Sequence, residues 1–262
     1  MSDVVLTDGP VSVERDGPVV TLILSRPQRR NPLSYETMTE LTARLREAGD
    51  DPSVRAVVLG ALGPVFCAGH DMRELATRDA AVHERVFGAC AELMLTIHRL
   101  PHPVIARVQG LATAAGCQLV AACDLAVAAE SARLGTPGVK IGLFCTTPMV
   151  EVARAVGRTR AMEMLLTGEP IDARTALHWG LVNQVVPLEH LDDAAVALAE
   201  RVLAASGETI AIGKRAVHEN LDLPLDEAYR HASAVMCRNA VTDDAQEGIS
   251  AFLEKRPPRW SR

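Results

Sequence analysis

The stretch Gly110-Leu111-Ala112-Thr113-Ala114-Ala115-Gly116-Cys117-Gln118-Leu119 consists almost entirely of small and apolar residues. It follows residues 102–108, whose apolar run predicts a strand, and it leads into helix-forming residues that continue to position 122. Small residues at a strand–helix junction let a ligand approach the backbone closely. The first turn of the helix also offers unpaired N–H groups and the positive end of the helix dipole. The stretch therefore predicts a ligand site.

A second stretch, Phe66-Cys67-Ala68-Gly69-His70-Asp71-Met72, has the same character and also lies after a predicted strand, at residues 54–59. Two N–H donors from two such loops, converging on one oxygen atom, would form an oxyanion hole. An oxyanion hole stabilises an enolate or a tetrahedral intermediate. Each loop taken alone also fits tight packing of a helix against a strand.

The surrounding sequence predicts an α/β fold, because strand and helix patterns alternate in the first half and helices dominate after residue 145. Asp16-Gly17 predicts a hairpin between two short strands, and Ser34 is a suitable cap for a helix. The predicted strands are residues 11–14, 19–24, 54–59, 102–108, 125–129 and 182–186. The predicted helices are residues 34–48, 80–100, 149–156, 159–166, 173–178, 188–205, 208–219, 225–239 and 243–252, and residues 60–71 are expected to form a loop.

Composition excludes several classes of function. Aromatic residues make up only 3% of the chain, which argues against a platform of stacked rings for single-stranded nucleic acid. The net charge of −6 does not fit the basic surface of a nucleic-acid-binding protein. None of the six cysteines forms a CxxC pair, so a zinc site is not expected, and most are interpreted as small buried residues in a reducing compartment.

Location is predicted from what the chain lacks. Residues 1–9 have neither the basic start nor the apolar run of a secretory signal. No window holds about 18 uninterrupted apolar residues, so no membrane span is expected. We therefore expect a cytoplasmic protein.

The order and spacing of many short stretches resemble the crotonase superfamily, also called the enoyl-CoA hydratase/isomerase family. The resemblance covers nearly the whole chain. The matching stretches are Arg26-Pro27 before Asn31, residues 66–71, 103–106 leading to Gly110, Gly116-Cys117, Cys123-Asp124, Ile141-Gly142, 154–157, 166–169, 180–182, and Glu247-Gly248 before Phe252 and Lys255.

The resemblance implies a ClpP-like fold of repeated ββα units in one domain, residues 1–262. The ββα core would span about 1–195, and a helical region for trimerisation about 196–262. It implies trimers, or dimers of trimers, and a role in fatty-acyl-CoA metabolism, nominally as an enoyl-CoA hydratase, which is a lyase. No cofactor is implied beyond the coenzyme A of the acyl-CoA ligand.

The resemblance also assigns roles to residues. The oxyanion donors would be the backbone N–H groups of His70 and Ala115, the second position usually being glycine in the family. The residues implied to line the bound ligand are Ala68, Asp71 and Met72 along adenine and pantetheine, Arg29 or Arg30 at the phosphates, Cys145 in the pocket, and Phe252 and Lys255 from the C-terminal helix. The arginines and Lys255 fit solvated surface charges equally well.

The sequence departs from the family at its two catalytic glutamates, which hold a water and move its protons. Gln118 and Gly138 stand at these positions. A glutamine amide cannot accept a proton near neutral pH, and glycine has no side chain. One positioned acid or base typically contributes about 10²- to 10⁴-fold in rate. Efficient water addition is therefore not expected.

Other residues offer partial replacements. His70 is a plausible base near neutral pH, or a polar side chain turned toward coenzyme A or solvent. Cys145 could be a nucleophile if its thiolate is stabilised, and otherwise lines the pocket. Asp71, Asp124 and Glu151 are expected to be structural. Residues 142–148 together with residues 110–124 resemble one branch of the family, in which the absence of both glutamates is a shared property.

Three functions remain open on the sequence. The first is a hydratase or isomerase that is weak or uses other groups. The second is thioester hydrolysis or decarboxylation, in which carbonyl polarisation needs no paired glutamates. The third is a non-catalytic acyl-CoA binder or regulatory subunit, because a fold alone does not determine an activity.

Overall fold

The computed structural model describes residues 3–5 and 9–261 of the chain. Within these residues it contains two β-sheets with helices packed on them. The strands are β1 Asp3–Val5, β2 Val11–Asp16, β3 Val19–Leu24, β4 Ala56–Ala61, β5 Val65–Cys67, β6 Val104–Val108, β7 Leu111–Thr113, β8 Leu125–Ala129, β9 Arg133–Gly135, β10 Ile171–Asp172 and β11 Gln184–Val186. The helices are α1 Tyr35–Asp50, α2 Met72–Leu75, α3 Ala80–Arg99, α4 Ala115–Ala122, α5 Thr146–Val156, α6 Arg158–Thr167, α7 Ala173–Trp179, α8 Leu191–Leu203, α9 Gly207–Asn220, α10 Leu225–Ala240 and α11 Asp243–Glu254.

The larger sheet has seven strands in the order β1-β2-β3-β4-β6-β8-β11. Neighbouring strands are parallel from β3 to β11, whereas β1, β2 and β3 pair antiparallel. The central strand β4 is buried at every position. A strand that is covered on both faces meets no water, which accounts for the continuous apolar sequence of β4.

The two faces of the larger sheet are covered by different helices. Val58 of β4 packs in a cluster with Leu191 and Leu198 of α8. Its neighbour Val57 belongs to the main core, to which α1 and α3 also contribute. Successive side chains of a strand point to opposite faces, so β4 supplies both layers of the core.

The smaller sheet has the order β10-β9-β7-β5, with β5, β7 and β9 parallel. The chain passes from the larger sheet to the smaller sheet and then into a helix three times, through β4-β5, β6-β7 and β8-β9. This is the repeated ββα arrangement that the family resemblance implies. Because β5 and β7 are parallel neighbours, the loops that follow them emerge side by side.

Polar side chains cap several helices, but α4 and α5 differ. The Ser34 hydroxyl accepts a hydrogen bond from the backbone of Thr37 at the start of α1, as the sequence predicts. Ala114 and Cys145 hold the corresponding positions before α4 and α5, and neither side chain makes a capping bond. The first turn of α4 therefore keeps the Ala115 N–H available for another acceptor. At the start of α5, by contrast, the Thr146 N–H donates to the Phe144 carbonyl at 2.8 Å.

Some local predictions differ from the structure. The predicted hairpin forms, with Gly17 and Pro18 in its loop. Residues 60–71, expected to be a loop, contain the short strand β5. The strands β1, β7, β9 and β10 are not predicted by the sequence, because two or three residues are too few to show a period. Apart from β1, most of residues 1–9 lie outside the described part of the chain.

The helices after β11 form the C-terminal region. Tyr229 of α10 and Phe252 of α11 are more than two thirds exposed. No helix in the described residues is long and apolar enough to cross a membrane. Assembly of this region into trimers stays a prediction.

Candidate functional site

The two loops of small residues meet at a contact that glycine makes possible. A Cβ atom added at Gly116 would lie 2.3 Å from the carbonyl oxygen of Cys67, deep inside van der Waals contact. A Cβ added at Gly69 would lie 3.0 Å from the Cβ of Ala114 and 3.3 Å from the backbone nitrogen of Ala115. The start of α4 is therefore held directly against the loop that follows β5.

Two backbone N–H groups at this contact lack an acceptor. Within the described residues, the N–H groups of His70 and Ala115 donate no hydrogen bond. Ala115 is the first residue of α4, where a helix leaves its N–H groups unpaired. His70 directly follows Gly69, which borders Ala115, so both free donors lie at the same contact.

The backbone that aims the Ala115 donor is strained. Ala114 has φ 52° and ψ −119°, a conformation that glycine adopts far more readily than alanine. Such a residue costs on the order of 1–3 kcal/mol and is retained when its surroundings hold it. Here the Ala114 N–H donates to the carbonyl of Gly135 at 2.8 Å, and its carbonyl accepts from Gln118 at 3.1 Å.

A pocket of about 390 Å³ lies beside these donors. Its size is suited to a small-molecule ligand. The residues that line it are Ala68, His70, Met72, Leu75, Phe87, Thr113, Ala114, Ala115, Pro137, Gly138, Lys140, Ile141, Leu143, Phe144, Cys145, Thr146, Thr147 and Pro148. Most of these side chains are apolar, and none of the described lining residues is Asp or Glu.

The electrostatics of the pocket favour an electron-rich group. Ala114 and Cys145 precede α4 and α5, and both line the pocket. Neither helix has an acidic residue in its first turn. Two positive dipole ends therefore face one cavity with apolar walls, where charges are only weakly screened.

The His70 side chain lines the pocket as a neutral ring. Its Nδ1 lies 3.4 Å from the carbonyl oxygen of Leu33, which can only accept, so Nδ1 carries the hydrogen. Its Nε2 is buried and has no partner in the described part of the chain. The ring packs edge-on to Phe87, with centroids 5.3 Å apart. Burial lowers the pKa of His70, which keeps a lone pair on Nε2 near neutral pH.

Gln118 and Gly138 have different environments. Gln118 is 3% exposed, and its Oε1 accepts from the thiol of Cys90 at 3.6 Å, so it is not among the residues lining the pocket. Gly138 lines the pocket but has no room for a side chain. A Cβ there would lie 2.0 Å from the carbonyl oxygen of Leu143 and 2.8 Å from the sulfur of Cys145.

The other titratable residues considered in the sequence have structural partners or are protonated. Burial raises the pKa of the Cys145 thiol, which disfavours a nucleophilic thiolate. Glu151 is buried and lies 3.3 Å from Nε2 of His98. Asp124 accepts from the ammonium of Lys214 at 2.6 Å, outside the pocket lining.

The structure brings six of the predicted site residues together at the pocket and leaves six elsewhere. Those at the pocket are Ala68, His70, Met72, Ala115, Gly138 and Cys145. Those elsewhere are Arg29, Arg30, Asp71, Gln118, Phe252 and Lys255. Asp71 accepts from the backbone N–H of Arg73 at the start of α2. The side chains of Arg29, Arg30, Phe252 and Lys255 are exposed, and their contacts with coenzyme A stay predictions.

Sequence reasoning did not identify several residues of the pocket wall. Phe87 comes from α3, and Lys140 and Phe144 come from the segment that follows β9. Lys140 is paired with Glu169 at 2.5 Å. Phe87 is one of only four phenylalanines and lies beside buried helix positions, which is the one sequence signal that could have indicated it.

Residues 14–262 match the enoyl-CoA hydratase/isomerase family, and the chain belongs to this family. The match confirms the resemblance found in the sequence and places the chain in a family of acyl-CoA enzymes.

Two solved structures and one curated relative show which members of the family the chain resembles. The crystal structure of an enoyl-CoA hydratase from Mycobacterium smegmatis has a TM-score of 0.94 and 46% identity, covering 97% of this chain and 100% of that one. The crystal structure of human enoyl-CoA hydratase domain-containing protein 3 has a TM-score of 0.92 and 42% identity, covering 96% and 100%. The mitochondrial enoyl-CoA hydratase domain-containing protein 3 of Danio rerio is 45% identical over 249 residues, which is 95% of this chain and 86% of that protein. These likenesses confirm the crotonase fold and the branch predicted from residues 110–124 and 142–148.

Proposed function

We propose that the protein binds an acyl thioester of coenzyme A and polarises its carbonyl with the N–H groups of His70 and Ala115. The observation that carries this proposal is the pair of unpaired main-chain donors at one loop contact beside an apolar pocket. Donors fixed in place cost no reorganisation when negative charge develops on the oxygen. The apolar walls would hold the acyl chain.

For the remainder of the ligand, the family resemblance implies a path along the following residues. Coenzyme A would extend past Ala68, Asp71 and Met72, toward basic groups such as Arg29 or Arg30. Phe252 and Lys255 are exposed in the single chain, which fits a contact completed in a trimer or hexamer. A cytoplasmic location also stays a prediction, and the relative from Danio rerio is named as mitochondrial.

One observation argues against efficient hydration, the nominal activity of the family. None of the described lining residues carries a carboxyl group, and paired carboxylates are what water addition would use. The second candidate functions are therefore thioester hydrolysis, decarboxylation or non-catalytic binding. All of them share the polarised carbonyl.

The carbonyl stretch of bound [1-¹³C]butyryl-CoA tests the polarisation directly. Infrared difference spectra are expected to show the stretch at a lower wavenumber on the protein than in water. Ala115→Pro removes one donor at a first helical position, where proline suits a helix, and the shift should shrink. Ala80→Pro, at the first position of α3, is the matched control and should leave the shift unchanged.

Melting temperatures of both variants show whether they fold. A bound thioester whose carbonyl stretch equals that in water contradicts the proposal, whatever the variants do. Loss of crotonyl-CoA absorbance, followed in parallel, reports hydration; we expect it to be slow or absent.

A further inference from the structure

We infer that Nε2 of His70 is the proton acceptor of this pocket and that the reaction class it serves is removal of an α-proton from the bound acyl thioester. The inference rests on the proposed carbonyl site. It adds the group that removes the proton once the carbonyl is polarised.

The position of the ring supports this role. The proposed carbonyl oxygen would sit at the His70 N–H, and the α-carbon is one bond away from the carbonyl carbon. The imidazole belongs to the same residue, and His70 lines the same pocket. A turn of the ring would bring the buried Nε2 into the space beside the α-carbon. Proximity of this kind is the first requirement for a general base.

The hydrogen-bond pattern leaves the correct nitrogen free. Nδ1 carries the hydrogen because its neighbour, the Leu33 carbonyl, only accepts. Nε2 then holds a lone pair, and it is a buried atom without a partner in the described residues. The contact to Leu33 is long at 3.4 Å, so it holds the ring only weakly against a turn toward a ligand.

Excluding the other titratable side chains of the pocket leads to the same residue, His70. Besides His70, the titratable side chains in the described lining are Lys140 and Cys145. Lys140 is a cation paired with Glu169, and Cys145 is a protonated thiol. Neither offers a basic lone pair near neutral pH, whereas a neutral imidazole does.

The charged surroundings of the ring are modest. Asp71 and Glu74 belong to the α2 segment, His83 to α3, and Lys140 to the segment after β9 that also lines the pocket. Asp71 caps α2, and Lys140 is neutralised by its partner. The protonation of His70 is therefore governed mainly by its burial.

The proposed step balances without another reactant. The lone pair of Nε2 takes the α-hydrogen as a proton, and the C–H electron pair becomes the C=C bond of the enolate. The carbonyl π pair moves to the oxygen, which the two N–H groups hold. The imidazolium then returns a proton to the α-carbon or, for an enoyl chain, to the γ-carbon, which isomerises the double bond.

Deuterium exchange of butyryl-CoA in D₂O tests this step without any net reaction. Mass spectrometry is expected to show enzyme-dependent deuterium at the α-carbon. The exchange rate should rise with pH and become constant once the pH exceeds the pKa of His70. Because burial lowers this pKa, the plateau should begin at a pH below the usual imidazole value of about 6.5. His70→Asn keeps the backbone donor and an N–H for the Leu33 carbonyl but has no base, so exchange should fall by about 10²- to 10⁴-fold.

His83→Asn is the matched control, because His83 also packs near Phe87, with ring centroids 6.2 Å apart, but does not line the pocket. It should exchange like the wild type. If His70→Asn does not fold, His70→Gln replaces it.

Exchange by the His70 variant at the wild-type rate and pH profile would overturn the inference. A wild-type protein that lowers the carbonyl stretch but exchanges no deuterium would overturn it too, and would leave the proposed function standing. A carbonyl stretch that is not shifted on binding would contradict both the inference and the proposed function.

Discussion

Replacing Gly138 by alanine tests whether this position can hold any side chain. In the structure, the segment after Gly138 folds back so that the Leu143 N–H donates to the Gly138 carbonyl at 3.0 Å. The carbonyl oxygen of Leu143 then lies 2.0 Å from where a Cβ at position 138 would be. A methyl group cannot occupy this space, so the backbone of residues 143–145 must move.

The size of the effect follows from these distances. An ordinary contact of about 3.5 Å requires the Leu143 carbonyl to move by roughly 1.5 Å. Overpacking of this kind costs about 1–3 kcal/mol, and the hydrogen bond to the Gly138 carbonyl adds about 0.5–1.5 kcal/mol if it is lost. Gly138→Ala is therefore expected to lower the free energy of unfolding by about 2–4 kcal/mol.

Gly88→Ala is the matched control. Gly88 lies inside α3, and a Cβ there would meet no atom within 4 Å. Alanine at such a site should raise the free energy of unfolding by about 0.5–1 kcal/mol, because glycine loses more backbone entropy on folding. Urea unfolding of both variants and the wild type at one protein concentration gives the comparison.

Two variants with the same chemical change should thus shift stability in opposite directions. If Gly138→Ala is as stable as the wild type, residues 138–145 are not packed as described. Position 138 could then also accept a glutamate. If the expected loss is observed, a carboxylate cannot be restored there without rebuilding the segment, so hydration cannot be installed by substitution at this site alone.

Two further predictions concern buried groups. Asp124→Asn should cost about 3–5 kcal/mol, because Lys214, only 6% exposed, would lose its carboxylate partner and keep only neutral acceptors such as the His102 carbonyl. Asp222→Asn on the surface is the control, and equal effects would contradict the reasoning. Burial alone would raise the pKa of Asp124, but a nearby imidazole and the Lys214 ammonium hold this pKa below its usual value. The stability from this pair should therefore be complete above the unfolded-state carboxyl pKa and be lost as pH falls through the lower folded-state value, which thermal melts between pH 6 and 3 can follow. Cys145 should react with iodoacetamide more slowly than the exposed Cys237, because burial raises the pKa of its thiol; mass spectrometry checks this, and equal rates would show that the pocket wall is open.

Much of the fold could be predicted because its signals are local. The cap at Ser34 and the hairpin loop at Gly17 depend on residues next to them in sequence. The strand β4 was visible as an apolar run, although its bounds lie two residues later than predicted. The strand β5 was missed because it exists only through pairing with β7, more than 40 residues away in the chain.

The site was predictable in part for the same reason. Small residues identified the two loops, the family resemblance assigned the donors to His70 and Ala115, and the fold brings these loops together. The direction of a side chain on a helix that is buried all round cannot be deduced from spacing, so the contact of Gln118 with Cys90 was not foreseen. Nor could the sequence indicate that Leu143 occupies the space above Gly138, because that depends on how a short segment folds back.

Both free donors at the loop contact are main-chain groups, and this determines how the site would respond to genetic change. A mutational scan to alanine would leave the N–H of position 70 in place, and Ala115 would not be altered by it at all. The sensitive positions in such a scan would be Gly69 and Gly116, where an added methyl group pushes the loops apart. A survey of natural variants that considers only chemically reactive side chains would therefore overlook the two main-chain donors. The positions that tolerate least change would be the glycines that let the loops touch.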